Sequence, residues 1–61
     1  MTEARMLAEV MIELHIFFDS DMDKVEAWLL TKNLNFGGFS PMDLINIGRI
    51  SRIYKFVMRD L

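Results

Sequence analysis

Asp19, Asp21 and Asp23 stand at alternate positions, the D-x-D-x-D spacing that opens a calcium loop of the EF-hand kind. Such a loop also needs a glycine at the sixth position for its sharp turn and a bidentate glutamate at the twelfth. Lys24 and Leu30 occupy those places, so no hard-cation site is expected. The same residues make better sense as a helix start: Ser20 reads as the N-cap, Asp23 as the partner completing a capping box, and the carboxylates favour the positive helix end. Other chemistry is as sparse. The one histidine, His15, falls on a helix flank, and the chain has no cysteine, which removes disulfides and the Cys/His zinc patterns. Gly37-Gly38 follows no strand and precedes no G-K-[ST], so it is not a phosphate loop. No carboxylate pair is spaced for acid–base work, and a chain this short struggles to shape a water-free pocket. Neither an enzyme, nor a cofactor, nor a bound metal is expected.

What remains is charge and apolar surface. The net charge of −2 is unevenly spread. Residues 1–48 carry eight acids and three bases, whereas residues 49–61 carry Arg49, Arg52, Lys55 and Arg59 against Asp60. Arg52, Lys55 and Arg59 fall on one side of a helix, with Arg49 at the flank. A solvated face explains such a row, and a binding stripe is the sharper reading. Hydrophobic residues make up 52% of the chain, a surplus for 61 residues. A domain of this size buries only about 60% of its extended surface, so a second copy of itself is the first candidate to cover the excess. No signal peptide is visible, because Glu3, Arg5, Glu9 and Glu13 interrupt the first apolar segment. No apolar run is long enough to span a membrane, and a cytoplasmic location is the default expectation.

The elements that position these groups follow from periodicity. Residues 3–18 read as an amphipathic helix with Leu7, Val10, Met11, Leu14 and Phe18 on its core face. Ile12 and Ile16 form an i,i+4 apolar pair beside the charged row, on a face that should be wet. They are expected to line a dimer interface. A second helix, 21–31, presents Val25, Trp28 and Leu29 inward, with Met22 and Leu30 flanking and Trp28 as core anchor. It ends where Asn33, Asn35 and the glycine pair discourage helix. In the loop 32–39, Phe36 should fold back onto the core, and Phe39 divides almost evenly between core and binding roles. Ser40 caps a short third helix, 41–47, with Pro41 at its first position and Asp43 three after the cap. Gly48 is its left-handed stop. Met42, Leu44, Ile45 and Ile47 are too many apolar residues for one narrow face, so this helix is mostly buried or half of it meets a partner. Residues 49–60 form the last helix, with Ile50, Ile53, Tyr54 and Val57 inward, Phe56 flanking the basic row and Leu61 continuing the apolar row. The expected architecture is one all-α domain of four helices over residues 1–61, assembled as a homodimer.

The ordered set Trp28-Leu29, Asn33, Gly37-Gly38, Ser40-Pro41, Leu44-Ile45 and Gly48 resembles the toxin-binding domain of the Xre/MbcA/ParS antitoxins. The resemblance covers residues 17–61. It implies a module that binds a RES-type, NAD-consuming toxin and covers the mouth of its active site, with dimerisation accompanying capture. The DNA-binding domain of that family is not expected here, since residues 1–18 offer one helix, and no family contact made by a longer tail is expected beyond the last helix. Phe39, Arg49, Arg52, Lys55 and Arg59 are the expected partner-binding residues. The cations would meet acids around the toxin's nucleotide pocket.

Two alternatives stand beside this reading. The chain could be a phage or mobile-element inhibitor of another host protein. It could also be a nucleic-acid-associated regulatory module using its basic helix, against which the acidic overall balance counts. Salt separates the last from the others, since phosphate binding falls steeply with ionic strength and an apolar interface does not.

Overall fold

The computed structural model describes residues 2–60. The chain is all-α, as its periodicity predicts: α1 is Glu3–Phe17, α2 Met22–Leu30, α3 Pro41–Asn46 and α4 Ile50–Asp60. A single 3-10 turn, Leu34–Phe36, sits in what reads from sequence as plain loop. The predicted continuation of the apolar row at Leu61 lies outside the described residues.

Each boundary has a local cause. Thr2 caps α1 by accepting the Arg5 N–H over 3.1 Å. At the other end the Ser20 N–H donates to the His15 carbonyl over 2.7 Å and the Asp19 N–H to the Ile16 carbonyl over 3.3 Å. This is a Schellman termination, and it holds Asp19 and Ser20 at φ 56° and 63°. The expected N-cap role of Ser20 is thereby excluded, because a capping residue needs extended backbone. Asp21, at φ −80° and ψ 99°, caps α2 instead. Its Oδ1 accepts from the Asp23 and Lys24 N–H groups over 3.1 and 3.2 Å. Asp23 lies one position too early for the expected capping box.

Asn33 organises the next loop. Its carbonyl accepts from the Phe36 and Gly38 N–H groups, each over 3.0 Å, and its own N–H donates to the Phe39 carbonyl over 3.1 Å. Its side chain takes the Asn35 N–H over 2.8 Å. This knot requires Gly37 and Gly38 at φ 68° and 86°, where a side chain would be strained. α3 starts as predicted, with Ser40 and Asp43 forming a capping box and Pro41 in the first turn. It stops on a second Schellman motif: Arg49 N–H to the Leu44 carbonyl at 2.7 Å and Gly48 N–H to that of Ile45 at 3.1 Å, with Gly48 at φ 79°.

α1 packs chiefly on α4, and α2 on α3, with α3 also meeting α4 and α1 meeting α2. Between them lie Val10, Leu14, Val25, Leu29, Phe36, Leu44, Ile50, Ile53 and Val57. Every helix contributes to this cluster, and the 3-10 turn supplies its largest fully buried side chain, Phe36. Leu7, Met11, Phe18 and Tyr54, predicted for the core faces, are half-buried around it.

The anchor expected at Trp28 is displaced to Phe36. Trp28 is only half-buried, with its ring edge-on to Phe36 at a centroid distance of 6.2 Å and 88°. Phe56 meets the other side of Phe36 at 5.2 Å and 75°. The asparagine knot turns the phenyl ring of residue 36 into the centre, and Trp28 is left covering it from outside.

Candidate functional site

The short connection between α3 and α4 brings two predicted binding elements together. Because the second Schellman motif reverses the chain within two residues, Arg49 and the first turn of α4 come back beside the end of α3. Phe39, from the loop before α3, closes the third side. Phe39, Leu44, Ile47, Arg49 and Arg52 line a shallow cleft of about 370 Å³. Leu44 is its buried floor, whereas Phe39 is half-exposed and Ile47 is 60% exposed. The arrangement is an apolar surface edged by two guanidinium groups three residues apart. It suits a protein segment that carries both an apolar side chain and a carboxylate, since an arginine fork pairs with carboxylate oxygens.

Of the five predicted partner-binding residues, Phe39, Arg49 and Arg52 converge here. Lys55 and Arg59 are exposed further along α4 and do not line the cleft. Ile47 belongs to it and was legible only as an apolar surplus on α3.

Ile12 and Ile16 are 58% and 69% exposed on α1, a separate face from the cleft. Phe17 beside them is also exposed and stacks edge-on to Phe18 at 4.9 Å. Leu34, in the 3-10 turn, is 94% exposed, a residue that periodicity had no means to place.

The family-like set has a structural function at each position. Leu29 and Leu44 are core, and Trp28 and Ile45 pack against it. Asn33 ties the loop, Gly37, Gly38 and Gly48 take left-handed backbone, and Ser40-Pro41 start α3.

The titratable groups serve the fold. Asp43 is held below its ordinary value of 3.8, first by the backbone N–H of Ser40, then by the Ser40 hydroxyl, with a smaller contribution from the charge of Lys32. Tyr54 is pushed above its ordinary 10.0, first by burial and then by the negative charge of Glu9 across the α1–α4 contact. One Glu9 oxygen, Oε2, is buried there without a hydrogen-bond partner. The His15 Nδ1–H donates to the Met11 carbonyl over 2.7 Å, and Nε2 lies 2.9 Å from Met22 Sδ. His15 is therefore a half-buried tie between α1 and α2. No group of three or more metal-ligating His, Cys, Asp or Glu side chains forms among the described residues, and no helix there is long and apolar enough to cross a membrane.

No protein-family model, curated protein or solved structure matches the chain.

Proposed function

We propose that this chain is a small protein-binding module of the antitoxin type, which inhibits a RES-type, NAD-consuming toxin by covering its active site. The observation that carries the binding role is the cleft of Phe39, Ile47, Arg49 and Arg52, where exposed apolar surface and two cations meet at one corner of the fold. Interfaces favour aromatic and arginine anchors at such points, and charged rims set orientation. The class of partner is drawn from the residue set Trp28-Leu29, Asn33, Gly37-Gly38, Ser40-Pro41, Leu44-Ile45 and Gly48. Inhibition in this reading is steric: the module excludes the nucleotide and contributes no chemistry. The exposed pair Ile12 and Ile16 supports a homodimer, whose second copy would hide them and leave the cleft open.

Co-expression with a RES-type toxin tests the proposal. The wild type should restore growth and co-purify with the toxin. Phe39→Ala combined with Arg52→Glu should abolish both while the chain still melts cooperatively, with only a modestly lowered midpoint, since Arg52 is exposed and half of the Phe39 surface is already in solvent. Undiminished rescue by that double variant would place the interface elsewhere. A folded wild type that fails to bind any such toxin would remove the antitoxin assignment.

A further inference from the structure

A second cleft, of about 320 Å³, opens between α1, α2 and α3 on a different set of side chains. Three of the chain's six methionines meet there, one from each helix: Met11, Met22 and Met42. Leu30 extends the apolar lining, and both Met22 and Leu30 are more than half exposed. Asp23 and Glu26 are the charged residues of the lining, and no base lines it. Along α2, Met22, Glu26 and Leu30 follow one another at i,i+4 steps, so apolar and acidic groups alternate along one ridge.

From this geometry we infer that the cleft is a docking groove for a basic amphipathic helix. Thioether side chains are unbranched and polarisable, so a wall of them reshapes around different apolar knobs. The volume lies at the low end of the ~300–1,000 Å³ typical of ligand sites. It holds one or two anchoring side chains of a helix, whose body stays above the rim. Anchors at i and i+4 reach such a groove from one helical face. The acids then choose the sign of the partner: Asp23 and Glu26 attract Lys or Arg flanking the anchors and repel an acidic helix. The cleft at Phe39 selects the opposite charge. The molecule thus carries two docking surfaces of contrary preference, and the inference does not depend on the proposed antitoxin role.

The test uses the full chain with ¹³C-labelled methionine methyls. The probe is a synthetic helical peptide with leucines at i,i+4 and lysines on its polar face. A matched peptide with glutamate for every lysine is the control. The basic peptide should shift the Met11, Met22 and Met42 methyl signals together and saturably, and the acidic one should leave them unmoved. Asp23→Asn with Glu26→Gln should weaken the basic peptide by about tenfold, the effect of two partly exposed charge pairs, while the methyl spectrum of the free protein stays that of a folded chain. Leu30→Gln should weaken it as well. The inference is overturned if the three methyls do not respond, or if both peptides bind equally. It is also overturned if the Met42 methyl, which lines the groove from α3 and not from the α1 face of Ile12 and Ile16, shifts on simple dilution without peptide, because a second copy would then occupy the groove.

Discussion

The Asp43 N–H donates to the Ser40 hydroxyl oxygen over 3.1 Å, and the Ser40 N–H donates to the Asp43 carboxylate over 3.1 Å. The pair satisfies two backbone N–H donors at the start of a helix only six residues long, which has little stability of its own. Ser40→Ala should therefore cost about 1 kcal/mol, read as a lower midpoint in urea.

The same pair predicts a pH dependence. The carboxyl of Asp43 titrates below its ordinary 3.8 in the folded chain. A depressed folded value means that its contribution is complete above the ordinary value and is lost as pH falls through the folded one. Asp43→Asn should be less stable than wild type at neutral pH. The gap should close in acid well below 3.8, in paired chemical melts at the two pH values.

Phe36 and Trp28 should respond unequally to truncation. Phe36 is 2% exposed at the centre of the core, and Phe36→Ala should cost about 3–5 kcal/mol. That is most of what a chain of this length holds, at roughly 0.05–0.15 kcal/mol per residue. Trp28→Ala, which uncovers the ring from outside, should cost about 1.5–3 kcal/mol. Thermal unfolding by circular dichroism orders the two, and a larger loss at Trp28 would refute the assignment of Phe36 as anchor.

Gly48 should resist substitution for backbone reasons alone. A Cβ there meets nothing within 4 Å, yet φ is +79°. Gly48→Ala should destabilise by about 1 kcal/mol, and Gly48→Asn by less, because asparagine tolerates left-handed backbone. Equal melting temperatures for all three chains would contradict the Schellman stop.

Charge reversal should separate the cations by position. Arg49→Glu with Arg52→Glu should abolish partner capture, whereas Lys55→Glu with Arg59→Glu, outside the cleft, should reduce it only a few-fold through long-range attraction. Isothermal titration with the partner distinguishes this from a contact spread along the whole of α4.

If the proposed homodimer forms through Ile12 and Ile16, replacing both with Glu should give monomers, or unfold the chain if association supplies needed stability. Sedimentation at micromolar concentration decides, and a wild type that is monomeric and folded there contradicts the self-association surface.

The sequence alone determined what depends on near neighbours in the chain. The four helices, the Ser40 cap, the Gly48 stop and the inward faces of α1 and α4 are set by propensities and i,i+3 and i,i+4 spacing, which act over one or two turns. It also determined that Ile12 and Ile16 lie off the core face. It misplaced the start of α2 by one residue, because Ser20 was already committed to ending α1, and two adjacent motifs compete for one N–H. Tertiary structure alone decided which aromatic ring fills the centre. Trp28 faces inward by the period of α2, whereas Phe36 lies in a connection that has no period, and the hydrogen bonds of Asn33 shape the 3-10 turn so that Phe36 takes the centre. It likewise decided that Arg49 and Arg52, not Lys55 and Arg59, stand beside Phe39. And it gathered Met11, Met22 and Met42, far apart in sequence, into one groove, since only the packing of three helices sets the distance between side chains on different elements.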